Sequence, residues 1–171
     1  ADEGAEDEWK TVYQTFGVAL TNFQNFRQDE GNVLKQDLIL RISNILEGMD
    51  LVSEQEPHRI PAIRERLNHF LEDAVGTENV DKNRFEQELI YYIDKLDITE
   101  EKIRLKSHLD YFLEALKDKD ANGKKLAFIS QEIGREINTM GSKANDAKMQ
   151  QLVVGMKEEL EKIKEQLLNV L

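Results

Sequence analysis

The sequence predicts an all-α fold, an antiparallel helical bundle of about seven helices that ends in a long C-terminal helix. Apolar residues recur at steps of three and four along most of the chain. Only two prolines, Pro57 and Pro61, interrupt its 171 residues. No segment shows the alternation of apolar and polar residues that a strand between hairpin turns would show.

The first half is predicted to form three helices separated by a glycine and by a proline-containing loop. The first helix spans about residues 8–27 and ends at Gly31. Its apolar stripe, interpreted as core, comprises Trp9, Val12, Phe16, Leu20 and Phe23. The second helix spans about residues 32–51, and a loop over residues 53–61 precedes the third helix, which Gly76 ends.

The second half is predicted to form four more helices. Asp81 is the expected N-cap of the fourth helix, and the fifth helix begins around Asp97 or Thr99. A short polar turn over residues 117–123 makes the fifth and sixth helices antiparallel neighbours.

The sixth helix spans about residues 124–140, and Gly141 is expected to stop it. The seventh runs from about residue 143 to the end of the sequence, with Ser142 as its expected N-cap. Its narrow apolar seam requires a partner helix and comprises Val153, Met156, Leu160, Ile163, Leu167 and Val170. We therefore expect either self-association of the chain or packing of this seam against the fifth or sixth helix.

Composition narrows the classes of function. The net charge is −11, so any RNA site must be a local basic patch on an acidic body. The absence of cysteine excludes disulfides, thiolate metal sites and cysteine nucleophiles. No apolar run approaches the roughly 20 residues of a membrane span, and the acidic residues 1–8 are unlike a signal peptide. We expect a cytoplasmic protein with no membrane partner.

The sixth helix has two unlike faces. One is an ordinary buried arc made of Leu126, Ile129, Ile133, Ile137 and Met140. The other mixes cations with an aromatic ring, amides and hydroxyls: Lys124, Lys125, Phe128, Gln131, Glu132, Arg135, Asn138, Thr139 and Ser142. Two interpretations stay open, a polar cleft wall that contacts phosphate, or a helix buried between neighbours whose polar residues satisfy one another.

Candidate chemical groups lie on this helix and on the one before it. Glu132 and Glu136 are four residues apart, so they either share a divalent cation or are neutralised by Arg135 or a lysine. His108 lies about as far before the polar turn as Glu132 lies after it. This spacing predicts one cleft lined by His108, Glu132, Arg135 and Glu136, although a boundary position without chemistry remains the alternative for His108.

The other two histidines, His58 and His69, are predicted to be ordinary surface residues. No pair among the three histidines has the spacing of zinc ligands. The chain also lacks a phosphate-binding glycine loop and a nucleophile elbow.

Two stretches of the second half resemble the YicC/YloC family of bacterial endoribonucleases. The first is Asp-Lys-Leu-Asp-Ile-Thr-Glu-Glu at residues 94–101, and the resemblance continues to residue 112. The second includes Gln-Glu-x-x-Arg-Glu-x-Asn-Thr-x-Gly-Ser-Lys at residues 131–143. By this resemblance residues 85–171 are the C-terminal helical domain of the family, and residues 1–84 are its helical middle region. The family's β-containing N-terminal region has no counterpart here, so we expect a piece of a longer protein.

The resemblance implies a metal-dependent endoribonuclease of the bacterial cytoplasm that is usually a hexamer. The implied catalytic residues are His108, Glu132 and Glu136. The implied ligands of a divalent manganese or magnesium ion are Glu132, Glu136, Glu101 and Asp97. The implied RNA contacts are Arg104, Lys106, Lys124, Lys125, Arg135 and Lys143. The alternative is a non-catalytic helical protein that binds RNA or acts as an adaptor or scaffold.

Overall fold

A computed structural model describes residues 3–76, 81–118, 123–144 and 146–168. Five helices follow one another in these residues: α1 (Glu3–Val75), α2 (Lys82–Leu96), α3 (Thr99–Ala115), α4 (Gly123–Lys143) and α5 (Ala147–Leu167). No strand occurs in the described ranges, so the predicted all-α class is confirmed. The predicted count of about seven helices is wrong. Over the same ranges, no helix has both the length and the hydropathy of a membrane-spanning segment.

The three helices predicted before residue 77 are one continuous helix, α1, of 73 residues. Gly31, Pro57 and Pro61 lie inside this helix instead of at its ends. A glycine in a helix interior costs only about 1 kcal/mol relative to alanine, which is too little to end a long helix. Each proline costs about 3 kcal/mol, and the burial of Val52 and Ile63 on either side helps to offset that cost.

The chain divides into two compact units, residues 1–38 and residues 39–171. In the first unit, nearly every described side chain is exposed. The prediction that this apolar stripe belongs to the core is therefore wrong. Its members are 46% to 67% exposed: Trp9, Val12, Phe16, Leu20 and Phe23. Helical periodicity identifies an apolar face but does not identify what covers it.

The second unit contains a closely packed core. The predicted stripes of α4 and α5 are buried in it: Leu126, Ile129, Ile133, Ile137, Met140, Val153, Met156, Leu160, Ile163 and Leu167. The part of α1 in this unit contributes Ile42, Ile45, Met49 and Val52, and α3 contributes Leu105, Leu109 and Phe112. Each fully buried side chain of this size contributes about 1.5–3 kcal/mol. The seam of α5 is thus covered within the chain, which was one of the two predicted outcomes.

Glycines of α1 and α4 allow α5 to approach its neighbours closely, as Gly48 and Gly134 illustrate. A Cβ atom added at Gly48 of α1 would lie 2.7 Å from Cγ of Met156. A Cβ atom added at Gly134 of α4 would lie 3.1 Å from Cδ2 of Leu160. Both distances are shorter than an ordinary contact between carbon atoms. A Cβ atom at Gly48 would force the Met156 side chain to shift, and one at Gly134 would need Leu160 to move by a few tenths of an ångström.

The helix ends agree with the prediction at some positions and differ at others. Gly76, with φ of 78°, follows α1 as predicted, and Asp81 caps α2 by accepting two main-chain hydrogen bonds. Asp146, not Ser142, caps α5. Ser142 lies in the last turn of α4, where its hydroxyl donates to a main-chain carbonyl one turn earlier. Gly141 also lies inside α4, buried, and does not stop it.

Two predicted features lie outside the described residues. Residues 119–122, the middle of the predicted polar turn, are not among them. The same holds for Val170, the last member of the predicted seam of the C-terminal helix.

Gly48→Ala is expected to lower the free energy of unfolding by about 1–2 kcal/mol, because the new methyl group must displace the buried side chain of Met156. Gly155→Ala is the matched control: it too lies in a helix, and nothing lies within 4 Å of an added Cβ atom. This control should gain about 0.5–1 kcal/mol from helix propensity. Urea unfolding followed by circular dichroism measures both changes. Equal stabilisation by the two substitutions would contradict the close packing at Gly48.

Candidate functional site

Helices α3 and α4 pack side by side in opposite directions. Arg104 Nε donates to a carboxylate oxygen of Glu136 at 3.0 Å. About two turns further along α4, Lys143 Nζ contacts Glu101, which lies earlier in α3, at 2.8 Å. Residues later in α4 therefore contact residues earlier in α3. This order confirms the antiparallel arrangement predicted from the short connection.

The two carboxylates in these contacts are buried. Glu101 is 3% exposed and Glu136 is 4% exposed. Arg104 also lies 3.7 Å from Glu101 and pairs with Glu100, and its hydrogen bond to Glu136 raises the pKa of its guanidinium. Lys143 Nζ also donates to a main-chain carbonyl at 2.8 Å. Four predicted site residues thus meet in one ion-pair network.

This network does not present a ready set of ligands for a divalent cation. Arg104 and Lys143 already contact the carboxylates of Glu136 and Glu101. The hydroxyl of Thr99 donates to Asp97 and lowers the pKa of that carboxyl. No group of three or more His, Asp or Glu side chains in the described part of the chain is placed to hold a metal ion. The arrangement therefore does not fit the ligand set that the resemblance implied, and the metal stays a prediction.

The carboxylate oxygen Oε2 of Glu101 differs from the paired oxygens of this network. It is buried and accepts no hydrogen bond from the described residues. An unsatisfied buried carboxylate oxygen is costly. The neighbouring cations reduce this cost through charge, since Arg104 and Lys143 both lie within 4 Å of the same carboxylate.

The remaining predicted residues lie outside the buried network. Glu132 pairs with Arg135 at 3.4 Å, and Lys106 pairs with Asp110 at 3.8 Å. His108 is half-buried on α3 and makes no hydrogen bond or ion pair with the described residues. A single cleft shared by His108, Glu132, Arg135 and Glu136 stays a prediction.

The solvent-facing side of the helix pair carries aromatic and cationic groups together. On α4 the exposed residues include Lys124, Phe128, Gln131 and Arg135, and Phe128 is 63% exposed. This exposure excludes one of the two interpretations of the polar face, the one in which the face is buried between neighbouring helices of the described chain. We call the set of Tyr111, Lys124, Lys125, Phe128, Gln131 and Arg135 the outer α3–α4 face.

Tyr111 is the member of this face that the sequence did not reveal. Its ring is 47% exposed on α3, and Lys125 Nζ lies 5.1 Å from the ring centroid, a cation–π contact. Lys125 also pairs with Asp118 at 3.3 Å, and the hydrogen bond to Asp118 raises the pKa of the lysine. Tyr111 adjoins the buried Phe112 in the sequence, and aromatic character alone does not tell an exposed ring from a buried one.

Comparison with known proteins confirms the resemblance to the YicC/YloC family. Residues 52–171 match the family model described as endoribonuclease YicC-like, C-terminal. A protein of Clostridioides difficile (strain 630) named probable endoribonuclease YicC is 35% identical over 173 aligned positions, which cover 99% of this chain and 59% of that protein. A Haemophilus influenzae protein of the same name is 36% identical over 155 positions, which cover 91% of this chain and 53% of that protein. The chain spans just over half the length of these relatives.

Lys143→Met is expected to lower the free energy of unfolding by about 3 kcal/mol, because it leaves the buried Glu101 without its closest cation. Lys106→Met is the matched control, since the side chains of Lys106 and Asp110 are 60% and 57% exposed. Its effect should stay within about 0.5 kcal/mol. Chemical denaturation at neutral pH measures both. A neutral effect of Lys143→Met would contradict the role given to the buried network.

Proposed function

The chain belongs to the YicC-like endoribonuclease family, and on that premise we propose that it takes part in the cleavage of RNA phosphodiester bonds. The observation that carries the proposal is the outer α3–α4 face, where cations and exposed rings lie together on a chain of net charge −11. Because the chain spans 59% and 53% of the two relatives, the proposal concerns the activity of the whole protein.

The outer α3–α4 face has the chemistry that single-stranded RNA requires. Exposed aromatic rings stack on bases regardless of sequence, and cations beside them contact the phosphates. Phe128 and Tyr111 supply the rings. Lys125 and Arg135 supply cations whose present partners, Asp118 and Glu132, are bound in solvent-exposed or partly exposed pairs. Such pairs are weak, so a phosphate can replace Asp118 beside Lys125 at little cost. Arg135 has further N–H donors for a phosphate while its pair with Glu132 is kept.

The buried network gives this face a fixed frame. Arg104 is held between Glu136 and two carboxylates of its own helix. We assign Arg104 and Glu136 a positioning role, in which they keep α3 and α4 in register under the RNA. Glu132 is only partly exposed beside Arg135 and would orient that guanidinium toward a phosphate.

His108 is the residue we assign to proton transfer. It is the only histidine of the α3–α4 pair, and its ring is half-buried one turn before Tyr111. An imidazole can accept a proton from an attacking oxygen or donate one to a leaving oxygen. In this proposal the RNA strand crosses the outer α3–α4 face and brings one phosphodiester group to His108.

Metal dependence belongs to the proposal for the whole protein. Glu132, Glu136, Glu101 and Asp97 remain the residues that the family resemblance implies as ligands. In the described residues these carboxylates are matched with cations or hydroxyl groups. None of the roles assigned to Arg104, Glu136 and His108 requires a cation held by this chain.

A non-catalytic RNA-binding or adaptor role is the second candidate. It is favoured by the internal pairing of Glu101 and Glu136, which is typical of a structural element as much as of a reactive one. The outer α3–α4 face serves both functions. The two candidates differ in turnover, because an adaptor binds RNA without shortening it.

Self-association is a further part of the proposal. Its support comes from the first part of α1, whereas the sequence had indicated the seam of the C-terminal helix. The exposed apolar side chains of the first unit, Trp9, Val12, Tyr13, Phe16, Phe23 and Phe26, form the kind of surface that proteins cover by association. A homo-oligomer would cover it. Light scattering that shows only a monomer at all concentrations would contradict this part.

Phe128→Ala is expected to weaken binding of a single-stranded RNA by about tenfold, because it removes one stacking ring from the outer α3–α4 face. Phe70→Ala is the matched control, since Phe70 is 68% exposed but lies on α1. Fluorescence anisotropy with a labelled oligonucleotide measures both affinities. Equal losses of RNA affinity in the two variants, or no loss for Phe128→Ala, would show that RNA does not bind the outer α3–α4 face.

His108→Ala in the full-length protein is expected to slow RNA cleavage by at least about tenfold while RNA affinity stays unchanged. Glu132→Gln should also lower the cleavage rate. Unlike His108→Ala, it should do so partly by weakening RNA binding. His69→Ala on α1 is the control and should behave as wild type. Gel analysis of end-labelled RNA under single-turnover conditions measures the rates. Wild-type cleavage by His108→Ala would exclude the proposed proton-transfer role and favour the adaptor alternative for this region.

A further inference from the structure

A second pair of an exposed ring and a cation, Tyr91 and Lys95, lies on α2. Lys95 Nζ lies 4.4 Å from the centroid of the Tyr91 ring, which is 59% exposed. The corresponding pair of the outer α3–α4 face is Tyr111 and Lys125, with a separation of 5.1 Å. Each pair joins a tyrosine that can stack on a base to a lysine that can contact a phosphate. We call Tyr91 and Lys95 the α2 pair.

Tyr91 projects away from the core of the second unit. Helix α2 packs through Leu89, which is 1% exposed, and the half-buried Phe85 and Ile93 lie on the same side of the helix. Residue 91 is about 200° around the helix axis from Leu89, so its ring points to solvent. Among the described residues, Lys95 forms no ion pair with a carboxylate. The α2 pair is therefore an accessible ring beside an accessible cation.

The exposed residues of α4 form one continuous line, and none of them is acidic. They follow one another at steps of three and four: Lys124, Phe128, Gln131, Arg135, Asn138 and Ser142. At 1.5 Å per residue this line is about 27 Å long. The exposed positions of α2, α3 and α5 each include carboxylates, such as Glu88, Glu114 and Glu161. An RNA strand along α4 therefore avoids the charge repulsion that the other helices would cause.

Direct contacts place the end of this line beside the end of α2. Lys143, the last residue of α4, donates through Nζ to the main-chain carbonyl of Asp97 at 2.8 Å. Arg59 donates to the main-chain carbonyls of Leu96 at 3.1 Å and of Lys143 at 2.6 Å. One guanidinium group thus joins the last residue of α2 to the last residue of α4. Lys95 is two residues before Asp97, so the α2 pair lies near the point where the α4 line ends.

We propose that single-stranded RNA follows the exposed line of α4 from the outer α3–α4 face to the α2 pair, which holds a second stretch of the same strand. This inference rests on the proposed binding of RNA to the outer α3–α4 face and adds a separate contact to it. Tyr91 stacks on a base, and Lys95 contacts a phosphate. The amides of Gln131 and Asn138 hydrogen-bond to the strand between the two sites. Because one strand occupies both sites, binding at each raises the effective concentration of RNA at the other.

Fluorescence anisotropy with labelled uridine oligonucleotides of about 4, 8, 12 and 16 nucleotides tests this path, since single-strand sites cover about 4–16 nucleotides. The double variant Tyr91→Ala with Lys95→Gln should weaken binding of the longest RNA by at least about tenfold. The shortest RNA should lose no more than about twofold, because it binds the outer α3–α4 face without reaching α2. The length at which the loss appears measures the path between the two sites.

The matched control is Phe70→Ala with Lys82→Gln, which also removes one exposed ring and one exposed cation. Lys82 begins α2 and lies about 20 Å along that helix from Lys95. This control should bind every RNA as the wild type does. Tyr91→Phe should also keep wild-type affinity, since stacking requires the ring and not the hydroxyl group. Thermal denaturation confirms that each variant is folded.

A loss of affinity that grows with RNA length in the Tyr91 and Lys95 variant supports the proposal. Wild-type affinity at every length, an equal loss at every length, or the same loss in the control overturns it. Phe128→Ala, measured with the same RNAs, separates this proposal from the proposed function. If Phe128→Ala weakens binding and the Tyr91 and Lys95 variant does not, RNA binding by the outer α3–α4 face stands and the path to α2 is wrong.

Discussion

The packing of α3 against α4 depends on two carboxylates that the fold buries, those of Glu101 and Glu136. A buried carboxylate destabilises a protein unless a cation and hydrogen bonds compensate it. Lys143 and Arg104 provide this compensation at 2.8 and 3.0 Å. A shift of α4 by one turn, about 5.4 Å, would separate both carboxylates from their cations. The ion pairs therefore fix the register of the two helices, and the outer α3–α4 face is a consequence of that register.

The sequence was sufficient for the class of the fold and for the helices of the second half. The stripes of α4 and α5 repeat at helical spacing and are buried, since each lies in the core of the second unit. Sequence signals failed where the outcome depends on tertiary contacts. Pro57 and Pro61 mark a break by local rules, yet α1 continues through them while Val52 and Ile63 pack on either side. The apolar stripe that begins at Trp9 is equally periodic and is exposed.

The candidate site was predictable in its residue types and only partly in its contacts. The spacing of Glu132 and Glu136 gave two neighbouring carboxylates, but Glu136 faces Arg104 in the buried network and Glu132 faces Arg135 near the surface. Helical rotation decides between these environments, and local spacing does not fix it. The hydrogen bonds from Arg59 to the main-chain carbonyls of Leu96 and Lys143 were beyond sequence reasoning altogether, because they join residues 37 and 84 positions apart in the chain.

Ultraviolet crosslinking of a single-stranded RNA to the protein, followed by mass spectrometry of the linked peptides, tests most directly whether RNA crosses the outer α3–α4 face. Aromatic side chains crosslink when they stack on a base. If RNA crosses the outer α3–α4 face, crosslinks will be concentrated on Tyr111 and Phe128. Crosslinks confined to residues 1–38, or spread equally over exposed rings such as Phe70, would contradict it.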